Sequence, residues 1–494
     1  MANVTTEVLM ITGICGTNRM YRTISSNQLA WWLREHNYEV QVIDYYAQLS
    51  NEQLLELVDH FVTKETKIIG WSTMGTVGNV MGQSKRFVET LLPILKEKYP
   101  WVVFITGGAS VHYTCSRYPN GTGFDYHFFG YAENGVLSLC NTIFRKAPMV
   151  VPEKKNGNRV IRETTICPLT QDETFDVKEL KHRWHDRDCI LPNDLLPIEV
   201  GRGCIFKCKF CAYPHTGKKK GEYSRQFELI EEEILDNYAR FGTTMYHLVD
   251  DTFNDDPDKV KAFWEMSQRL PFKIHLAAFI RADLLQAHPD EQYQLLESGF
   301  IGTYFGIESF GPTAAKFVAK PWSYKNAQDF LVKLRHDIWK EEVNFRCSMI
   351  TGLPGDTRKD YLKWHKWFVE HEIPNWHWHA LYMQRDLKAP FISNLEKDAE
   401  EYGYTWVTEN GKNMWKNKES GITQRDAMEI EAEMNALKAP HQVNVCFSVL
   451  EECQYLGLNP KVHNFTKIKD IKQEALQTER DKSLQLYIQK MLSL

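Results

Sequence analysis

The chain has 494 residues, a net charge of −5, 43% hydrophobic and 25% charged residues. That is the balance of a folded globular protein with room for roughly three domains of about 150 residues; it excludes disorder as the main state and a generally basic nucleic-acid coat. No run approaches the about 18 apolar residues of a membrane span, and the N-terminus (MANVTTEVLMITGIC) shows no basic, apolar leader. Eleven cysteines, an odd number spread over a long chain, do not make a disulfide framework and predict a reducing, cytoplasmic setting.

Residues 1–147 alternate strand and helix. Strands are expected at 8–13, 39–44, 67–72, 101–107 and 125–130, and helices at 25–36, 51–64, 82–99 and 133–145. This alternation predicts a doubly wound, Rossmann-like parallel sheet with ligand loops at the carboxyl ends of its strands. Those ends read Gly13-Ile14-Cys15-Gly16-Thr17, Ser72-Thr73-Met74-Gly75-Thr76 and Gly107-Gly108-Ala109-Ser110. Residues 148–195, with Pro148, Pro152 and Lys154-Lys155-Asn156-Gly157-Asn158, read as a linker carrying at most a small hairpin. A second alternation fills 196–389, with strands at 197–200, 245–250, 273–279, 302–307, 344–351 and 376–384. Helices fit between them at 228–241, 257–269, 289–298, 324–340 and 358–370. Six such units predict a partial parallel (β/α)6 barrel whose chemistry sits at the strands' carboxyl ends. Residues 390–494, loops and short strands followed by mainly helical sequence, are expected to form a C-terminal substrate or capping region.

The densest chemical signal is Gly201-Arg202-Gly203-Cys204-Ile205-Phe206-Lys207-Cys208-Lys209-Phe210-Cys211-Ala212-Tyr213, a C-x3-C-x2-C loop directly after the first barrel strand. Three thiolates on one loop hold three irons of a [4Fe–4S] cube and leave the fourth iron open. Zinc, with His215 as a fourth ligand, is the competing reading, although structural zinc more often uses two separated ligand pairs. In spacing, in the aromatic Phe210 before the third cysteine and in position, the loop resembles the radical S-adenosylmethionine (radical SAM) enzymes. The resemblance implies that Cys204, Cys208 and Cys211 hold the cluster, with Phe210 and Tyr213 beside the cofactor. S-adenosylmethionine then chelates the open iron, and its reductive cleavage releases a 5′-deoxyadenosyl radical.

Four further segments match that family in order. Val249-Asp250-Asp251-Thr252-Phe253 ends the second strand, where the resemblance places Asp250 and Asp251 near the methionine amino group. Arg281, past the third strand, is expected at the cofactor's carboxylate. Phe305-Gly306-Ile307-Glu308-Ser309 ends the fourth strand, and Gly352-Leu353-Pro354-Gly355 resembles the adenine-side turn after the fifth. Each has a plainer reading: Asp251 as a helix cap, Glu308 as a structural ion pair, the glycines as a turn. His377 and His379 share one face of the sixth strand, opposite Trp376 and Trp378; they are either ordinary core histidines or groups that handle protons or substrate. Lys218-Lys219-Lys220 reads as a solvated run, with docking of an acidic electron donor as the second reading. The sequence assigns no catalytic residue.

The order of the two α/β regions resembles the cobalamin-binding branch of the same enzymes. Ser72, Thr73, Gly75, Gly107, Gly108 and Ser110 are then expected to face the corrin, whose approach small residues permit. The D-x-H-x-x-G motif that supplies a histidine to cobalt in methionine-synthase-like proteins is absent, so either the cobalt has no histidine ligand or the domain keeps the fold without the cofactor. The implied reaction is cobalamin-dependent methylation of an unactivated carbon or phosphorus centre in a small molecule or peptide. A flavodoxin or ferredoxin would act as reductant. Cobalamin-independent rearrangement, oxidation or sulfur insertion, with RNA as one conceivable substrate, and an iron–sulfur electron carrier, are the alternatives. No basic RNA-binding module is appended.

Overall fold

The computed structural model describes residues 5–15, 20–75, 82–108, 111, 114, 118, 121–128, 131–147, 160–162, 175–211, 223–320, 324–383, 393–409, 412–442, 447–457 and 473–494. Two six-stranded sheets dominate it. The first contains β1 (Val8–Cys15), β2 (Val40–Ile43), β3 (Ile68–Gly75), β4 (Val103–Gly107), β5 (Tyr126–Phe128) and β6 (Val160–Arg162), in the order β2-β1-β3-β4-β5-β6. The first five run parallel and β6 runs antiparallel to β5. Near-continuous apolar runs such as Val8 to Ile11 are buried because helices cover both faces. Trp71 points into one helical layer, stacked on Phe87 (4.8 Å, 21°) and near-parallel to Phe124.

The second sheet contains β7 (Leu196–Glu199), β8 (Met245–Val249), β9 (His275–Ile280), β10 (Phe300–Glu308), β11 (Asn344–Thr351) and β12 (Asn375–Ala380), all parallel and in chain order. It is the expected (β/α)6 partial barrel. Side chains alternate: Leu276, Ala278, Phe305, Phe345, Cys347, Trp376 and Trp378 enter the core beneath the outer helices. Tyr304, Arg346, His377 and His379 therefore lie on the opposite, concave face. The helix Phe447–Leu456 enters that concavity and packs Leu450 and Cys453 on Ala277 and Ile301.

An open barrel leaves β12 as an edge with unpaired backbone groups. Side chains from the helix Gln424–Ala436 and the residues after it satisfy them. Asn435 Oδ1 accepts the Trp378 amide (3.0 Å) while its Nδ2 donates to the Trp378 carbonyl (2.9 Å). Glu431 accepts the Ala380 amide (3.1 Å) and Gln442 donates to the Trp376 carbonyl (3.2 Å). The hairpin β13 (Tyr404–Glu409) and β14 (Lys412–Asn417) lies beside it.

Two expectations about the connections change. The segment read as an exposed tether supplies β6, and Phe175, Val177, Leu180, Trp184 and Ile190 within it are buried. The last helix, Gln473–Leu492, returns to the first sheet, where Tyr487, Ile488 and Met491 join its core. Buried Arg22 ties these parts together, bonding Asp44 (3.0 Å), Asp194 (2.8 Å) and the carbonyls of Asp188 and Cys189. Among the described residues no helix is long and apolar enough to cross a membrane.

Candidate functional site: the cysteine loop at the barrel mouth

Glycine-flanked Arg202 leads from β7 into the cysteine loop. Gly201 admits the close approach of Asp250: a Cβ there would meet Asp250 Oδ2 at 3.1 Å. The Cys204, Cys208 and Cys211 thiols are partly exposed at the carboxyl end of the barrel. Cys204 Sγ lies 3.5 Å from the Thr252 hydroxyl, and the Cys211 amide donates to the Cys208 carbonyl (3.1 Å). Burial pushes the Cys204 thiol up, and the bond to Thr252 acts against it. One loop thus supplies all three thiols, enough to anchor three irons of a cube. His215, Tyr213 and Lys218 to Lys220 lie outside the described residues.

Arg281 stands beside this loop. Its guanidinium lies 4.0 Å from the Phe206 ring centroid, its Nη1 donates to Cys208 Sγ (3.7 Å), and Asp283 pairs with it at 2.6 Å. Asp250 lies under the loop, paired with buried Lys259 (3.0 Å) and accepting the Thr252 amide (2.9 Å). Asp251 is exposed next to Thr252. The structure thus brings Arg281, Asp250, Asp251 and the cysteines together. Phe210 packs instead toward the Phe317, Tyr402 and Tyr404 cluster, and the Lys209 carbonyl accepts the Leu395 amide (2.8 Å). The loop is thereby fastened to the C-terminal region.

Glu308 sits at a bulge of β10 with φ +69°, a left-handed backbone that costs a non-glycine residue on the order of 1–2 kcal/mol. Lys320 offsets this by bonding both Glu308 (2.9 Å) and the Gly306 carbonyl. Gly306 leaves room for the pair, since a Cβ there would lie 2.3 Å from Glu308 Oε1. The turn after β11 is explained by packing. Gly352, at φ +94°, donates its amide to Tyr361, accepts from Tyr404, and has no space for a Cβ beneath Trp415 (2.4 Å). A Cβ at Gly355 would meet Thr313 at 2.9 Å. Ser309 donates to Asp356 (2.7 Å).

Burial pushes the Asp356 carboxyl from its ordinary 3.8 up to about 8. The folded chain then keeps a proton that the unfolded chain releases. Stability from this group is full below about pH 4 and is lost as pH rises through about 8, at about 1.4 kcal/mol per pH unit between. Asp356→Asn should flatten that slope in denaturation midpoints measured at about pH 6 and about pH 8. An unchanged slope would mean that the buried carboxyl is ionised.

In the first sheet, Ser72 and Gly108 meet at the carboxyl ends of β3 and β4: a Cβ on Gly108, at φ +96°, would lie 2.6 Å from Ser72 Oγ. Two small residues thus meet in close contact where β4 ends. Gly107 is spoken for by β5, since its Cβ would meet the Phe128 carbonyl at 3.1 Å. Thr73 and Gly75 lie on β3 opposite Gly13 and Cys15 of β1; Ser110 lies outside the described residues. Trp71, one residue before Ser72, packs in the core against Phe87.

Sequence reasoning missed Arg202, Lys259, Lys320 and Asp356. Arg202 is the most consequential. Its largely buried guanidinium bonds Glu199 (2.6 Å) and Gln28 (3.2 Å), and also Glu133 (2.6 Å) at the start of the last helix of the first sheet; it lies over Tyr131. The residue two before Cys204 therefore joins the two sheets. The G-R-G-C string and nearby Glu199 hinted at it, but Gln28 and Glu133 are remote in sequence.

Residues 198–368 match the family profile described as the Radical SAM superfamily. Among curated proteins the chain is similar to the ribosomal protein uS12 methylthiotransferase RimO of Rhodopseudomonas palustris, with 23% identity over 201 residues, 37% of this chain and 44% of that protein. It is also similar to RimO of Acinetobacter baumannii, with 24% identity over 204 residues, 37% of this chain and 43% of that protein. The chain thus spans less than half the length of these relatives. Among solved structures it is similar to the radical S-adenosylmethionine methyltransferase TsrM from Kitasatospora setae, solved with cobalamin and a [4Fe–4S] cluster. The identity is 14% and the TM-score 0.65, over 97% of this chain and 100% of that one. It is also similar to the cobalamin-dependent S-adenosylmethionine radical enzyme OxsB, with 15% identity and a TM-score of 0.53, over 81% of this chain and 56% of that one. At these identities the likeness is one of fold: a parallel α/β domain joined to a partial barrel and a helical C-terminal part.

Proposed function

We propose that this chain, whose residues 198–368 are a radical SAM domain, is a cobalamin-dependent radical SAM methyltransferase acting on an unactivated carbon or phosphorus centre. The observation that carries the reading is the pairing of a three-thiol loop at the barrel mouth with a parallel sheet joined to it through Arg202. When bound, the cluster, S-adenosylmethionine and cobalamin supply the adenosyl radical and the methyl group. The chain's own part is to hold and shield them. Cys204, Cys208 and Cys211 anchor three irons; three thiolates leave one iron without a protein ligand, which an electron carrier would not need. Arg281, beside Cys208 and paired with Asp283, offers a cation for a carboxylate near the open iron, and exposed Asp251 offers an acceptor for an ammonium group, whereas Asp250 is buried beneath the loop against Lys259 and supports it from below. Glu308, Ser309, Gly352 and Gly355 are the residues proposed for the far end of S-adenosylmethionine, with the Gly352 backbone held in place by Tyr361 and Tyr404. Ser72 and Gly108 would face the corrin. No histidine occurs in residues 1–35 to bind cobalt after β1. A reducing cytoplasm and a flavodoxin- or ferredoxin-type reductant complete the reading.

Cobalamin-independent sulfur insertion is the second reading, favoured by the RimO similarity. Hydroxocobalamin binding separates the two. Ser72 is partly exposed on an extended strand end, so Ser72→Trp should block the corrin by overlap and leave the cluster iron unchanged. Gly108→Leu is a poorer probe, because its left-handed backbone is strained by any side chain. Wild-type protein that takes up no hydroxocobalamin while carrying a full cluster would remove the methyltransferase reading and leave the radical SAM reading standing.

A further inference from the structure

We propose that His377, His379 and Glu431 form a second metal site, for zinc or a similar divalent transition metal, on the concave wall of the barrel. The two imidazoles come from alternate residues of β12 and so share a face; their ring centroids are 4.6 Å apart. Glu431 reaches them from the helix Gln424–Ala436 that covers the strand edge. One ligand atom from each of the three lies within 4.8 Å of the other two. Coordination at about 2.0–2.2 Å places neighbouring ligand atoms about 3.0–3.5 Å apart, so closure on a metal needs side-chain movements on the order of 1 Å.

The outer bonds of such a site are already in place. Glu431 Oε2 accepts the Ala380 amide (3.1 Å), which fixes the carboxylate and leaves Oε1 for a metal. His379 Nε2 lies 3.2 Å from the Tyr304 hydroxyl, a contact that orients the ring. Carboxylates and imidazoles are normally held in this way around a bound metal. Two nitrogens and one oxygen suit zinc or ferrous iron better than magnesium or calcium, which prefer all-oxygen sites. Three protein ligands also leave a position open, and the concave face directs it into the lumen where a substrate of the barrel would lie. Arg346 lies near both imidazoles, with Lys438 also near His377 and the opposing carboxylate of Glu308 near His379. The site shares no residue with the cysteine loop, so it stands or falls apart from the function proposed above.

The test uses cluster-loaded protein. Zinc sulfate is added, unbound metal is removed by desalting, and zinc and iron are both quantified. The expected result is about one zinc per chain above the cluster iron. Tyr304→Phe should weaken zinc binding on the order of tenfold, and Glu431→Gln and His377→Gln should weaken it further, with iron content unchanged. Glu431→Gln keeps an acceptor for the Ala380 amide, so it retains the edge contact and serves as the variant least disturbing to the fold. Triple replacement of Cys204, Cys208 and Cys211 with alanine should leave the zinc in place. Failure of the wild-type protein to hold zinc, zinc that persists in both Glu431→Gln and His377→Gln, or zinc that disappears with the cysteines would each overturn the site.

Discussion

Replacing any one of Cys204, Cys208 and Cys211 with alanine is expected to remove the iron–sulfur cluster and all S-adenosylmethionine cleavage with it. Three thiolates are the smallest anchor that holds a cube with one open iron, so two leave it to dissociate. Iron content should fall from about four per chain to below about one. The described cysteines elsewhere give the contrast. Cys140, Cys189, Cys347 and Cys453 are buried away from the loop. Burial pushes the Cys140 and Cys453 thiols up to about 12 and the Cys189 thiol to about 11, which keeps them protonated and poor ligands. Their replacement should leave iron at the wild-type level, although cavity formation at Cys347 will lower stability. Iron and sulfide analysis after anaerobic reconstitution checks both halves. Full iron in a Cys208→Ala protein would mean that the ligands lie elsewhere.

Arg202→Met should cost about 3–5 kcal/mol of stability, the penalty for leaving buried carboxylates without their cation. Glu199 and Glu133 both depend on this guanidinium, and their side chains are only 7% exposed. Because Arg202 is two residues from Cys204, the variant should also loosen the loop's hold on the cluster and uncouple the two sheets. Arg202→Lys should recover only part of the loss, since one ammonium cannot reproduce a fork bonded to Glu199, Glu133 and Gln28 together. Adding Glu133→Gln to Arg202→Met should restore part of the stability by removing one stranded charge. Denaturant midpoints and the rate of iron loss measure these effects. Midpoints equal to wild type in Arg202→Met would show that the contact between the sheets is held elsewhere.

Where the determinants are local, sequence and structure agree to the residue. The helices Pro257–Arg269 and Arg358–Glu370 start where expected, because Asp256 and Thr357 cap them through side-chain bonds to Asp258 and Asp360. β11 spans Asn344–Thr351 as its apolar run indicates. Departures arise where distant residues decide. The helix expected over 82–99 contains wide turns at Arg86–Leu91 before continuing as Leu92–Lys98. β6 joins the first sheet as an antiparallel edge, a pairing no local pattern in that segment announces. The covering of β12 by Glu431, Asn435 and Gln442 is equally non-local.

The same division runs through the candidate site. The cysteine spacing was legible because one loop supplies all three thiols. Arg281 and Asp250 were legible by their place at strand ends. Lys320 and Arg202 were not, because each matters through a carboxylate brought near only by folding. The turn at Gly352 and Gly355 shows the converse: a familiar glycine pattern is required here by Trp415 and Thr313, whatever the turn also binds.

The central claim is that this barrel turns S-adenosylmethionine into a radical source at the cysteine loop. The direct measurement is anaerobic incubation of the reconstituted protein with S-adenosylmethionine and a reductant, followed by quantification of 5′-deoxyadenosine and methionine. The account predicts both products from the wild-type protein and neither from the Cys204→Ala, Cys208→Ala or Cys211→Ala proteins. A wild-type protein that carries a full complement of iron and sulfide yet leaves S-adenosylmethionine intact would contradict it.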